Sequence, residues 1–127
     1  MKTEPEVFSI DNLAKLGRSA WDGVRNYQAR NHMQAMRAGD WVLLYHSSTQ
    51  DRGVVGLAQV AREAYPDHTQ FDPKSQYFDK TAKKAAPRWF MVDVEFMEKF
   101  PKLLHLETMK ADPQLADMLV PSRTAAR

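Results

Sequence analysis

The segment of residues 21–31, with the sequence WDGVRNYQARN, constrains the fold most, because its composition suits neither a buried core nor an ordinary surface helix. It combines two aromatic residues with two arginines, two asparagines and a glutamine. Planar guanidinium and amide groups match the edges of a nucleobase, and flat aromatic faces accept a stacked base. This motif segment is therefore typical of a nucleobase-binding surface. A turn that starts a helix, with Trp21 packed in the core, explains the same residues equally well.

Capping residues and hydrophobic spacing predict two short helices near the start of the chain. Ser9 can cap the first helix, and Gly17 suits the left-handed position that follows its last turn. The second helix is predicted over residues 27–37 and ends before Gly39. The apolar positions expected to face the core are Ile10, Leu13, Ala14 and Leu16 in the first helix and Ala29, Met33 and Met36 in the second.

Three segments have the alternating pattern of β-strands, residues 41–47, 53–61 and 89–100. Both faces of the first strand are expected to be mostly buried, and Gly56 in the second leaves room for a close approach to the backbone. Pro101 is expected to end the third strand, before a helical turn at residues 106–110 and a last helix that begins at Pro113. This mixture of elements predicts the α+β class.

A long segment without clear periodicity, residues 66–88, separates the second and third predicted strands. It interleaves Phe71, Tyr77 and Phe78 with aspartates and lysines. Loops of this length are usually functional or disordered, and the aromatic residues argue against disorder because they need a place to be buried. We expect this loop segment to wrap around the sheet and to form one wall of a binding pocket.

Length and composition exclude several classes of protein. At 127 residues the chain is expected to form one domain over residues 1–127. The absence of cysteine excludes a disulfide framework and a thiolate zinc site. No apolar run approaches the roughly 20 residues of a membrane span, and no signal peptide opens the chain. We therefore expect no membrane contact and a cytoplasmic location, or a nuclear one in a eukaryotic cell.

The net charge of +2 is too small for a protein that holds nucleic acid chiefly by neutralising many phosphates. If the chain binds nucleic acid, a pocket must supply much of the selectivity. The basic residues fall into two groups, Lys80, Lys83, Lys84 and Arg88 in one and Arg25, Arg30 and Arg37 in the other. The default interpretation of each group is a solvent-exposed surface.

Catalytic constellations are not evident in the sequence. A hydrolase triad around Ser47 lacks the G-x-S-x-G elbow, and the neighbouring His46 would point to the opposite face of a strand. A zinc deaminase needs cysteine ligands that the chain does not contain. The four histidines lack the spacing of a helical metal-ligand pair. We expect a non-catalytic protein without metal or cofactor.

Several motifs together resemble the EVE domain family in order and rough spacing, from Lys2 to about Leu119. Besides the motif segment, they are Lys2-Thr3-Glu4-Pro5, Gly39-Asp40, Tyr45-His46-Ser47, Glu63-Ala64-Tyr65-Pro66-Asp67, Phe71-Asp72-Pro73-Lys74-Ser75, Pro87-Arg88-Trp89 and Val92-Asp93-Val94. The resemblance implies membership of the PUA-like superfamily, with similarity to the YTH readers that hold a modified base in an aromatic cage.

As an expectation about fold, the resemblance implies a small twisted β-barrel of about five to six strands with short flanking helices. EVE domains usually carry a strand before the Lys2 motif and another after the position of Leu119. Both strands look shortened or absent in this sequence. An open barrel would leave unpaired edges, so a strand-exchanged dimer is an open alternative.

As an expectation about function, the resemblance implies recognition of a modified cytosine or adenine in DNA or RNA. Trp21 is expected to stack on a flipped-out base, with further contacts from a tyrosine, either Tyr27, Tyr45 or Tyr77. The residues expected to bind the base edge are Asn26, Ser47 and Asp72, those expected to orient the pocket or to meet sugar and phosphate are Lys2, Arg30 and Asn31, and Thr3 and His46 complete the predicted site.

Two other functions agree with the same residues. The chain could bind a small free ligand such as a nucleoside, with an affinity that hardly depends on salt. It could instead bind another protein through the aromatic residues of the loop segment.

Overall fold

A computed structural model describes residues 1–5, 8–47 and 53–105. Five strands form one mixed sheet in the order β1-β3-β4-β5-β2, and two α-helices contribute to its core. The elements are β1 Lys2–Thr3, α1 Ile10–Leu16, β2 Arg18–Trp21, α2 Tyr27–Ala35, β3 Trp41–His46, β4 Gly53–Pro66, a 3-10 helix His68–Phe71 and β5 Phe90–His105. The predicted α+β class is confirmed.

The β-barrel that the resemblance implies is not closed in the part of the chain that the structure describes. β1 pairs with β3 in parallel, the remaining neighbours are antiparallel, and no pairing joins β1 to β2 within the described residues. Several register shifts along the β4–β5 pair bend the sheet, as bulges do. Closure would nevertheless require the two edge strands to pair, and they contain two and four residues.

Helix α1 begins and ends where the sequence predicts. The Ser9 side chain accepts a hydrogen bond from the backbone of Asn12 at 3.1 Å, and the Asn12 side chain accepts one from the Ser9 backbone at 2.8 Å. Gly17 closes the helix in a left-handed conformation with φ 77°. Ile10 and Leu13 are buried, whereas Ala14 and Leu16 are exposed, because so short a helix presents a narrow stripe to the core.

Helix α2 has Asn26 as its N-cap and buries Ala29 and Met33. It ends at Ala35, two residues before the predicted end. Met36 has extended backbone angles and cannot continue the helix.

The strands differ from the predictions in several respects. Strand β2, Arg18–Trp21, was not predicted, and β4 continues to Pro66, past its predicted end at residue 61. Only one face of β3 is buried, because Trp41 at its start has 55% of its surface exposed. Strand β5 continues through Pro101, which was expected to end it. Lys99 and Leu104 of β5 are five residues apart, but their partners in β4, Gly56 and Val54, are only two apart. Pro101 lies in this irregular stretch, where its missing N–H group is not needed for a hydrogen bond between the strands.

Some predictions cannot be compared with the structure. The helical turn at residues 106–110 and the helix at Pro113 lie outside the described residues. Within the described residues, no helix has both the length and the apolar character needed to cross a bilayer.

The close approach predicted at Gly56 is confirmed. A Cβ placed there would collide with the Ile10 side chain and with the carbonyl oxygen of Glu98. Because Gly56 has no side chain, α1 can pack against β4 at a position where β4 also pairs with β5.

Gly56→Ala should lower the free energy of unfolding by about 1–3 kcal/mol, because the added methyl group overpacks the core. Adding Ile10→Val removes the δ-methyl group that collides, but it leaves the Glu98 carbonyl in place, so only part of the loss should be recovered. Urea unfolding of both variants checks this. An unchanged midpoint for Gly56→Ala would contradict the packing described here.

Candidate nucleic-acid interface

A buried carboxylate, that of Asp67, joins the motif segment to the loop segment. It accepts hydrogen bonds from the Gly23 backbone at 2.8 Å, from Arg25 Nη1 at 3.1 Å, and from the backbone and hydroxyl of Thr69 at 2.8 and 2.5 Å. Burial by itself would raise the pKa of Asp67, but these donors hold it below its ordinary value. The carboxylate is therefore ionised at neutral pH, and it fixes the two segments against each other.

Gln70 connects the two ends of the loop segment. Its amide nitrogen donates to the carbonyl oxygens of Asp67 at 2.7 Å and Trp89 at 2.8 Å. Its amide oxygen accepts from the backbone N–H groups of Arg88 and Trp89, both at 3.0 Å. A fully used, buried amide holds the loop closed, although the 3-10 helix His68–Phe71 is a small part of the loop segment. Sequence reasoning missed both Asp67 and Gln70, because a single polar residue in a loop carries no periodic signal.

Arg25 is a structural residue and does not belong to a free basic face. Its guanidinium donates to the Tyr77 carbonyl oxygen at 2.7 and 3.1 Å, to the Thr69 hydroxyl at 3.0 Å, and to Asp67. It also lies 5.5 Å from the ring centroid of Tyr77 and 5.3 Å from that of Trp89. These contacts place both aromatic rings beside one cation, as in favourable cation–π pairs.

Three predicted site residues, Tyr27, Arg30 and Asn31, come together at the start of α2. Tyr27 stacks on Trp89 with a centroid distance of 4.8 Å, and the Arg30 guanidinium lies 4.8 Å from the Tyr27 centroid. Arg30 also donates to Asn31 Oδ1 at 2.9 Å and to the Arg88 carbonyl oxygen at 3.0 Å. The end of the loop segment is thereby attached to α2.

A cavity of about 450 Å³ that is largely open to solvent lies beside these rings. Trp89 donates its indole N–H to Asp79 at 2.8 Å. Hydrogen bonds from Thr81 and Trp89 lower the pKa of Asp79 to about 2, so this carboxylate is ionised at neutral pH. The lining residues are Arg25, Gln76, Tyr77, Phe78, Asp79, Lys80, Thr81 and Trp89. Of the predicted site residues, Tyr77 lies in this lining.

A second group of predicted residues lies where β1 pairs with β3. Lys2 is in register with Tyr45, and Thr3 with His46. Ser47 donates its backbone N–H to the Thr3 carbonyl oxygen at 2.9 Å and its hydroxyl to the same atom at 3.4 Å. The buried Thr3 hydroxyl has no hydrogen-bond partner among the described residues.

His46 supports the start of α1. Its Nε2 accepts a hydrogen bond from the Ile10 backbone at 3.1 Å, which requires this nitrogen to be unprotonated. Burial lowers the pKa of His46, and nearby Asp11 opposes this effect only in part. His46 is therefore a neutral acceptor in the folded protein.

Trp21 lies in the environment of the core interpretation, which is one of the two that the sequence left open. Its side chain has 0% of its surface exposed, it packs edge-to-face on Phe8 at 6.0 Å, and it pairs with Val92 as a residue of β2. A ring without solvent access cannot offer a face to a base in this conformation, so the core interpretation of Trp21 is the correct one here. Alternation of buried and exposed residues along β2 would have indicated that Trp21 is buried, but the four residues of this strand are too few to show it.

Asn26 and Asp72, which were expected to bind the base edge, have local partners. Asn26 Oδ1 accepts from the Ala29 backbone at 3.0 Å as the cap of α2. Asp72 is exposed, and its Oδ1 accepts from the Lys74 backbone at 2.9 Å. Across the described ranges, no group of three or more histidine, cysteine or acidic side chains is placed to hold a metal ion.

Comparison with known proteins gives a consistent set of relatives. The EVE domain family model matches residues 1–127. Thymocyte nuclear protein 1 from Mus musculus is 42% identical over 87% of this chain and 54% of its own length. The chain thus spans about half the length of the curated relatives that it matches.

Two solved structures resemble this fold. A hypothetical protein from Leishmania major has a TM-score of 0.88 at 48% identity, over 97% of this chain and 80% of that one. Human THYN1 protein, in complex with DNA that contains 5-methylcytosine, has a TM-score of 0.87 at 37% identity, over 99% of this chain and 85% of that one.

Gly23→Ala should destabilise the interface through the Tyr77 ring, which would lie 2.6 Å from the added Cβ. The control is Gly17→Ala, because Gly17 has nearly the same φ, 77° against 81°, with no atom within 4 Å of its Cβ position. Both variants incur left-handed strain of about 1–2 kcal/mol. In urea unfolding, Gly23→Ala should lose a further amount of about 1–3 kcal/mol. Equal losses would show that Tyr77 is not held against Gly23.

Stability should fall as the pH drops below 6.5, in part through His46. Its folded-state pKa is lowered from 6.5, so the unfolded chain takes up the proton first. The contribution of His46 to the free energy of unfolding is complete above pH 6.5 and is lost as the pH falls through the folded-state pKa. This free energy should change by at most about 1.4 kcal/mol per pH unit. Urea unfolding at several pH values should give a shallower dependence for His46→Gln. Parallel curves for the two proteins would contradict this assignment.

Proposed function

The chain belongs to the EVE domain family, and on that basis we propose that it is a non-catalytic module that binds DNA carrying a modified cytosine. The choice of cytosine over adenine is supported by the related human protein in complex with DNA that contains 5-methylcytosine. The choice of a binding role is supported by the aromatic and polar character of the cavity.

The observation that carries the proposal is the cavity beside Tyr77 and Trp89. It lies between the motif segment and the loop segment, and its lining combines aromatic rings with hydrogen-bonding side chains. A base inside a duplex cannot reach such a site unless it rotates out of the stack. We propose that the modified cytosine enters this cavity as a flipped-out base.

Asp79 is the residue that we assign to the cytosine edge. A carboxylate offers about four acceptor positions, and hydrogen bonds from the Thr81 backbone, the Thr81 hydroxyl and the Trp89 indole use three. The remaining position can accept the N4 amino group of cytosine, a pairing that thymine cannot make because it has a carbonyl group there.

Recognition of the modification itself requires an apolar contact. Burying one methyl group contributes about 0.8 kcal/mol, which corresponds to about a fourfold preference. Aromatic carbon atoms of Tyr77 and Trp89 are available in the lining for this contact. A tighter fit around the methyl group would increase the preference further.

Single-stranded oligonucleotides with one cytosine or one 5-methylcytosine test the proposal by fluorescence anisotropy. The native protein should prefer the methylated strand about fourfold or more. Asp79→Asn should weaken binding about tenfold, because a hydrogen bond to a charged group is lost. Asp72→Asn makes the same change elsewhere in the loop segment and should have little effect.

Thr3→Val tests a second location, the pairing of β1 with β3, where the buried Thr3 hydroxyl has no partner among the residues that the structure describes. Loss of the methyl preference in Thr3→Val, with Asp79→Asn unaffected, would place the base at the end of β1 and β3 instead. The absence of any preference in folded native protein would overturn the function. Free 5-methylcytidine that binds as tightly as the strand, with no salt dependence, would favour a small-ligand site.

A further inference from the structure

Phe78 is an exposed aromatic residue at the rim of the cavity. Its side chain has 42% of its surface exposed, although the residues on either side of it, Tyr77 and Asp79, are anchored. The Tyr77 carbonyl oxygen accepts two hydrogen bonds from Arg25, and the Asp79 backbone donates to Gln70 at 3.0 Å. Phe78 is therefore held in position without being buried.

A turn fixes the direction of the chain at this point. The Phe78 backbone donates to the Ser75 carbonyl oxygen at 3.1 Å, and the Tyr77 backbone donates to the Ser75 hydroxyl at 3.1 Å. An aromatic ring that is exposed on a flexible loop could fold back onto the protein. Here the backbone on both sides of Phe78 is hydrogen-bonded, so the folded loop itself keeps the Phe78 ring exposed.

The charge around Phe78 favours a polyanion over a protein surface as its partner. Basic residues of the loop segment surround it in sequence, and all of them are exposed: Lys74, Lys80, Lys83, Lys84 and Arg88. The acidic residue next to it, Asp79, is engaged by Trp89 and Thr81. Aromatic rings among cations are the combination that single-stranded and unstacked nucleic acid binds.

We propose that Phe78 inserts into the DNA base stack at the place that the flipped cytosine leaves. This inference rests on the proposed function, because it requires the cytosine to enter the adjacent cavity. Apolar side chains commonly act as such wedges between base steps. The ring would stack on a neighbouring base and so offset the cost of opening the duplex.

The test compares duplex with single-stranded DNA, because a wedge matters only where a stack must be opened. Each DNA carries one 5-methylcytosine, and its affinity for the protein is measured by fluorescence anisotropy. Phe78→Ala should bind the duplex about tenfold more weakly than the native protein and should bind the single strand within about twofold of native. Phe78→Tyr should restore duplex binding.

Trp41→Ala is the control, since Trp41 is an exposed aromatic residue outside the cavity lining. Its duplex affinity should equal that of the native protein. The wedge is overturned if Phe78→Ala binds the duplex as well as the native protein does, or if single-strand and duplex affinity fall equally. A native protein without preference for methylated single strands would instead overturn the proposed function, and the wedge with it.

Discussion

The ionised carboxylate of Asp67 is the interaction on which the candidate site depends. It is completely buried, so protein donors must replace its hydration, and they come from both segments that form the site. A buried ion pair such as that with Arg25 adds little stability compared with an apolar pair of similar size, but removal of one partner costs about 3–5 kcal/mol. The network therefore serves mainly to fix geometry, because few other arrangements of the two segments would satisfy the charge.

This geometry explains how a loop with little regular secondary structure, the 3-10 helix His68–Phe71, can support the candidate site. Gln70 closes the ends of the loop segment, and Arg25 holds the carbonyl oxygen of Tyr77 near its middle. The aromatic rings beside the cavity are thus positioned before any ligand arrives. A prearranged site loses less conformational entropy on binding, so more of each contact contributes to affinity and selectivity.

Sequence-based prediction succeeded mainly for features that depend on local interactions and failed for features that depend on distant parts of the chain. The cap of α1 at Ser9 and its end at Gly17 were predicted, because each depends on the residue's own backbone or on neighbours a few positions away. The close approach at Gly56 was predicted from the missing side chain alone, whereas its partners, Ile10 and Glu98, lie far away in sequence and were not predicted. The end of β5 at Pro101 was predicted wrongly, since the irregular register with β4 that tolerates proline depends on a distant strand. Trp21 was assigned a stacking role from its neighbours in sequence, whereas β2 places it in the core.

By itself the sequence determined the α+β class, the start of both helices, the approximate positions of β3, β4 and β5, and the family, because periodicity, capping and motif order are local properties of the chain. It also singled out Tyr77 and the start of α2 as parts of a site. Tertiary structure alone decided that the sheet stays open in the described residues, and that Asp67, Gln70 and Arg25 organise the site. Gly23 and Asp67 are 44 positions apart, and Arg25 and Tyr77 are 52 apart. Contacts over such separations arise only when the sheet brings the two segments together, so no local pattern encodes them.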